Sequence, residues 1–263
     1  MARLDGKVTV ITGGAGTIGA AAGRLFAEEG SKVLLVDTEK DALEKALRDI
    51  GKGDVSYFVA DVTHADEVQS YVNAAVDRYG GIDVFLNNAG IEGLVTPIVQ
   101  YPIEVFDKVM AVNVRGVWLG LKYVIPVMAR KQSGSIIISS STAGVVGSPG
   151  ISAYNCSKHA VVGIMRTAAI ECAPLNIRVN TINPCPVEGR MMDSMEKNFG
   201  AMLNAADSGI DPLISKDIIL QAIPMRRYAT TEEVARMMLF LASDESSICT
   251  GGVYMLDGGL TCA

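Results

Sequence analysis

Short apolar runs alternate with longer amphipathic stretches along this chain. The runs Lys7–Thr12, Lys32–Asp37, Val55–Ala60, Ile82–Leu86, Ser135–Ser140, Ile177–Ile182 and Val253–Leu256 are dominated by Val, Ile, Leu and other uncharged residues. Such runs predict strands buried on both faces of a parallel sheet. Between them lie stretches of helical composition. Ala20–Glu29 is rich in Ala and Glu and stops at Gly30, and Asp41–Ile50 follows the second run. Thr63, with Asp66 three residues on, predicts a capped helix running to Tyr79. Ile103–Met128 predicts a long helical region interrupted near its end by Pro126. A further helix carries Tyr154, and Thr231–Ala242 is capped at Thr230 or Thr231. Strands separated by helices imply right-handed crossovers and a sheet covered on both faces. No linker, repeat or low-complexity segment breaks the pattern, so residues 1–263 read as a single domain.

Composition narrows the function. Of 263 residues, 49% are hydrophobic and 20% charged, which supplies a core and argues against disorder. A net charge of −6 disfavours non-specific nucleic-acid binding. No apolar run approaches a membrane span, and Met1–Lys7 lacks an apolar signal core, so a cytoplasmic protein is expected. The five cysteines, Cys156, Cys172, Cys185, Cys249 and Cys262, are odd in number and show no Cys-x-x-Cys spacing. With only His64 and His159 besides, neither a disulfide framework nor a metal site is expected. Chemistry then falls to hydroxyls, amines and an organic cofactor.

The first strand leads into Gly13-Gly14-Ala15-Gly16-Thr17-Ile18-Gly19, then a helix, a second strand and the acid Asp37. Glycines allow a tight turn, and a helix N-terminus attracts a pyrophosphate. Asp37 stands close to the roughly 20 residues beyond the loop at which a dinucleotide fold places its ribose-binding acid. It can accept hydrogen bonds from both ribose hydroxyls and would repel a 2′-phosphate. No Lys or Arg lies within Gly13–Gly19 to compensate, so NAD is expected rather than NADP. The bland alternative is a tight turn followed by a solvated Asp.

Tyr154-Asn155-Cys156-Ser157-Lys158 sets a phenol and an ammonium four residues apart, on one face of a helix. A phenol ordinarily has a pKa of about 10, which a neighbouring positive charge lowers. By itself the pair fits equally a partly buried Tyr with a surface Lys one turn on.

With these features in order, the chain resembles the short-chain dehydrogenase/reductase family over essentially its whole length. The resemblance rests on Thr12–Gly19, Asp61-Val62, Asn87-Asn88-Ala89-Gly90, Asn113, Ser141, Tyr154-x-x-x-Lys158, Asn183-Pro184 and Asp257-Gly258-Gly259. It implies an α/β fold, a Rossmann-like doubly wound three-layer sandwich with a seven-stranded parallel sheet, and a substrate lid inserted at about 190–223. It implies that Tyr154 exchanges the substrate proton and Ser141 holds the substrate oxygen. Lys158 would keep the Tyr pKa down and grip the nicotinamide ribose. Asn113 would bend its helix and support a water linked to Lys158. Ser139 and Ser140 read as strand-end residues that cap or fill. Gly13, Thr17, Ile18 and Gly19 match the phosphate loop, Asp37 the ribose site, Asp61 and Val62 the adenine site. Asn88 and Gly90 match positions along the cofactor, and Val187 the one whose backbone meets the carboxamide.

The chain departs from the family pattern at Thr17, where Gly is usual, at Cys185 in place of the Gly of Asn-Pro-Gly, and at Gly189, often Thr. Thr17 could give a hydroxyl to a phosphate. In the lid, Met192, Met195, Phe199 and Met202 form an apolar helical stripe, which either packs on the domain or makes a substrate wall. Cys185, Met192 and Met195 are thus substrate-side candidates beside Ser141 and Tyr154. The expected activity joins a secondary alcohol, cyclic or otherwise largely apolar, to its ketone. Glu92 is expected to face water, and Cys156 and His159 to pack. A homo-oligomer, tetramer or dimer, is implied, pairing Ile103–Met128 and Ser152–Ala173, the second through Ala160, Val161, Ile164 and Ala168. An NAD-using epimerase or dehydratase, or a non-catalytic NAD-binding sensor, are the alternatives.

Overall fold

All seven apolar runs become strands of one parallel sheet, because each is too uniformly hydrophobic to leave a face in water. The computed structural model describes residues 2–205 and 212–262, with the backbone alone for 200–205 and 212–215. In order the elements are β1 (Val8–Thr12), α1 (Thr17–Glu28), β2 (Lys32–Asp37), α2 (Lys40–Ile50), β3 (Val55–Val59), α3 (Ala65–Tyr79), β4 (Val84–Asn87), α4 (Ile103–Met110) and α5 (Val117–Lys131). Then come β5 (Gly134–Ser139), α6 (Ser152–Cys172), β6 (Ile177–Pro184), α7 (Arg190–Ala205), α8 (Pro212–Ala222), α9 (Thr231–Ala242) and β7 (Val253–Leu256).

Successive residues of a strand point to opposite faces. Val33 and Leu35 of β2 pack with Phe26 of α1, Leu43 of α2 and Leu239 of α9. Leu34 and Val36 pack with Tyr71 of α3, Val124 of α5 and Met165 of α6. The result is the expected three-layer, doubly wound Rossmann-like sandwich, with strand order β3-β2-β1-β4-β5-β6-β7. Winding reverses between β1 and β4, and in such sheets the crevice beyond the carboxyl ends at that reversal is where ligands bind. Among the described residues no helix is long and apolar enough to cross a membrane.

Several local expectations shift. β4 begins at Val84 rather than Ile82, because the Asp83 carboxylate takes the Val8 N–H at 2.8 Å and strand pairing starts at Thr9 with Val84. The α3 cap is His64, not Thr63. The Thr63 N–H instead donates to the Asp61 carboxylate at 2.8 Å, a local turn that delays the helix. Pro126 does not interrupt α5, which runs on to Lys131. Pro126 is exposed, so water can meet the carbonyl that it leaves without a donor. Val161 and Ala168 of the small-residue face on α6 belong to the core, while Trp118 on α5 is 50% and Ile170 on α6 is 77% exposed.

The break between α4 and α5 is a π-helical turn, Ala111–Gly116, that turns Asn113 fully inward. Its amide clamps the chain after β4: Asn113 Oδ1 accepts from Ile91 N–H at 2.8 Å, and Nδ2 donates to Ile91 O at 2.9 Å and Ser157 Oγ at 3.0 Å. Such widened turns recur at functional sites. Asn113→Ala strands these partners in a dry interior. We expect it to lose on the order of 2–4 kcal/mol of stability in urea unfolding, whereas a surface Asn such as Asn73 replaced by Ala loses almost nothing.

Candidate active site

Two loops meet where the sheet reverses. After β1 the chain turns through Gly13 into α1. An added Cβ on Gly19 would strike the Gly13 carbonyl oxygen, so only glycine lets the helix start so close to the strand. The first helical bond is Ala20 N–H to Gly16 O at 2.8 Å. The N–H groups of Thr17, Ile18 and Gly19 precede it and are left over for a ligand. Asn88, just after β4, ties the two loops together. Its backbone N–H donates to Thr12 Oγ1 at 3.0 Å, Nδ2 donates to Thr12 O at 3.1 Å, and Oδ1 accepts from Ser139 Oγ at 2.9 Å.

Ser139 closes β5, and its carbonyl accepts from Lys158 Nζ at 2.8 Å. Ser140 Oγ donates to Lys158 O at 3.2 Å, so Ser139 and Ser140 brace α6. Ser141 follows, its hydroxyl oxygen accepting from Ala143 N–H at 3.2 Å. Tyr154 faces the same space from the first turn of α6, with Lys158 Nζ at 5.3 Å from its ring centroid.

Ser140, Ser141 and Tyr154 border a cavity of about 890 Å³. Gly13, Thr17, Ile18, Asp37, Asp61, Val62, Asn88, Gly90, Ser141, Tyr154, Cys185, Val187, Met192 and Met195 all line it. Three expected site residues do not. Gly19 is buried beneath the loop, and Asn113 and Lys158 stand behind Gly90, whose added Cβ would lie 3.4 Å from Asn113 Oδ1 and 3.5 Å from Lys158 Nζ. Asp37 Oδ2 accepts from Ala15 N–H at 3.0 Å, which fixes the carboxylate at the mouth of the glycine loop. An acid at the end of β2, spare amides at α1 and a large continuous cavity fit a dinucleotide.

A family model described as enoyl-(acyl carrier protein) reductase matches residues 13–261. The chain belongs to the short-chain dehydrogenase/reductase family. Its relatives include 3-oxoacyl-[acyl-carrier-protein] reductase FabG of Thermotoga maritima, 39% identical over 260 residues, 98% of this chain and 99% of that protein. Levodione reductase of Leifsonia aquatica is 36% identical, over 99% of this chain and 96% of its own. Among solved structures, levodione reductase superposes with a TM-score of 0.94 at 34% identity, covering 99% and 100% of the two chains. NAD+-bound xylitol dehydrogenase gives 0.90 at 36% identity, covering 98% and 100%.

In this dehydrogenase/reductase the electrostatics differ from the simple expectation that Lys158 lowers the Tyr154 pKa. Burial pushes the phenol up to about 12; the Ser141 hydroxyl pulls it down and the Glu92 carboxylate adds to the rise. Burial also draws Lys158 down to about 8. Glu92 is thus half-buried and sensed by the phenol, not simply turned to water. Burial raises the Cys185 thiol as well, which makes it a poor nucleophile. Cys156 and His159 are exposed and do not pack in the core.

The apolar stripe on α7 faces the cavity through Met192, Met195 and Phe199, while the Met202 side chain lies outside the described residues. Ile218 and Ile219 of α8, within the expected lid, also line the cavity, whereas Val95, Pro149 and Ile151 from loops and Leu260 from beyond β7 escape sequence reading. No local pattern marks them, because tertiary return paths bring them together. Glu39 also lines the cavity beside Asp37, and its acidity two residues on was a readable signal.

The lowered Lys158 pKa has a signed consequence. An unfolded Lys holds its proton up to about pH 10.4, and the folded one releases it near 8. The unfolded state therefore binds more protons across that window, and stability rises with pH there. Melting curves between pH 7 and 10 should show wild type gaining relative to Lys158→Met as pH rises.

Proposed function

We propose that this protein is an NAD-dependent oxidoreductase that interconverts a secondary, largely apolar alcohol and its ketone, with Tyr154 as general acid and base. The observation that carries the reading is that Ser141 and Tyr154 share a wall of the cavity that begins at the glycine loop. The nicotinamide supplies the hydride chemistry. The chain supplies position and protons. The spare amides at α1 hold the diphosphate, and Asp37, with Glu39 beside it, meets the adenosine ribose. Asp61 and Val62 flank the adenine, and Asn88, Gly90 and Val187 border the path towards the nicotinamide.

At neutral pH a phenol raised to about 12 keeps its proton. It can therefore give that proton to a ketone oxygen in reduction, and in oxidation it takes the alcohol proton as the phenolate, once its own proton has passed to solvent. Ser141 Oγ holds the same oxygen by a hydrogen bond. The Lys158 charge opposes the burial that keeps the phenol neutral, and Asn113 fixes the Ile91 backbone behind it. General acid–base help of this kind contributes roughly 10²–10⁴ in rate. Met192, Met195, Phe199, Ile218 and Ile219 give the far end an apolar wall, which suits a cyclic or otherwise hydrophobic carbon skeleton. The names levodione reductase and xylitol dehydrogenase are in keeping with alcohol–ketone chemistry, and the NAD+ bound to the latter with the cofactor.

Wild-type protein given NAD and a panel of secondary alcohols should accumulate NADH. Tyr154→Phe should lose at least about 10²-fold in rate while its NAD affinity in calorimetry stays within a few-fold. A variant turning over near normally would sink the assignment, and product without net NADH would favour an epimerase. Asp37→Ala should weaken NAD by about tenfold and shift the kcat/KM ratio towards NADP, because a repelling carboxylate is gone. An unchanged ratio would place cofactor choice elsewhere.

A further inference from the structure

Two of the positions at which the sequence departs from its family, Thr17 and Gly189, are far apart in the chain and meet in space. A Cβ built on Gly189 would lie 2.9 Å from Thr17 Oγ1, 3.1 Å from Cγ2 and 3.3 Å from Cβ. Gly189 has φ +141, a conformation that side chains resist, and its carbonyl accepts Asp193 N–H at 3.1 Å to open α7. Thr17 is the first residue of α1. The N-terminal ends of α1 and α7 thus converge at this one contact, and both residues line the cavity. The Thr17 hydroxyl has no hydrogen-bond partner among the described residues. It stands beside the left-over N–H groups of Ile18 and Gly19, where negative charge is favoured.

We infer that Thr17 and Gly189 act as one unit of the dinucleotide site: the Thr17 hydroxyl binds the diphosphate from the α1 side and occupies the space that a side chain at 189 would need. The inference rests on the cavity being the dinucleotide site. Thr17 is then a binding residue, and Gly189 is the glycine that its bulk requires. The same oxygen that contacts the ligand sets how closely the loop before α7 can approach α1. Change at either position is therefore felt at the other.

The experiment measures dissociation constants for ADP-ribose, which carries the diphosphate without a nicotinamide, and for NAD, with melting temperature as the check on folding. Thr17→Val keeps the shape and removes the hydroxyl. It should weaken both ligands about tenfold with little change in melting temperature, and Thr17→Ser should stay within about threefold of wild type. Gly189→Ala is measured beside Thr17 and beside Thr17→Gly. The backbone strain is common to both backgrounds and cancels, so only the contact remains. The loss of ADP-ribose affinity should be about fivefold or more greater beside Thr17. Wild-type affinity in Thr17→Val, or equal penalties for Gly189→Ala in the two backgrounds, overturns the pairing alone. Failure of the wild-type protein to bind either ligand overturns both the pairing and the reading of the cavity.

Discussion

The hydrogen-bonded brace from Thr12 through Asn88 to Ser139 is the constraint on which the site depends. It ties the carboxyl ends of β1, β4 and β5 across the point where the sheet reverses. Parallel strands by themselves leave their ends free to splay, since no hairpin joins them. Here Asn88 joins β1 and β5 through one side chain. The Ser139 carbonyl then carries the tie to Lys158 and so to α6. The Asn113 amide adds a second tie, from the π-helical turn to Ile91 and Ser157. That framework holds α6 and with it Tyr154, whose phenol meets the Ser141 hydroxyl.

The brace has an electrostatic counterpart. Burial draws the Lys158 pKa down, and burial pushes the Tyr154 phenol up. Both shifts favour the neutral forms. A phenol that keeps its proton beside a serine hydroxyl is suited to donate towards a carbonyl oxygen.

How much of this was legible follows from the range over which each signal acts. The strands and their layering could be read because a strand buried on both faces must be apolar throughout, and β2 shows it residue by residue. The glycine loop was legible because a tight turn needs fixed residue types at fixed spacing, and the acid expected after the second strand does end β2 beside that loop. The late start of β4 was hidden because the Asp83 carboxylate, outside the apolar pattern, takes the first donor of β1. The direction of the Tyr154 shift was hidden too. It depends on how dry the phenol becomes, which is set by loops distant in sequence. The spacing by itself left a surface Lys158 open, and folding buries it behind Gly90.

The most direct test of the account is a crystal structure of the protein with NAD and a slowly reacting secondary alcohol. The account predicts the alcohol oxygen within about 3 Å of both Ser141 Oγ and the Tyr154 hydroxyl, with the carbon skeleton against Met192 and Met195 and the diphosphate at the start of α1. An alcohol oxygen held by other groups, with the Tyr154 hydroxyl out of hydrogen-bond reach, would contradict it.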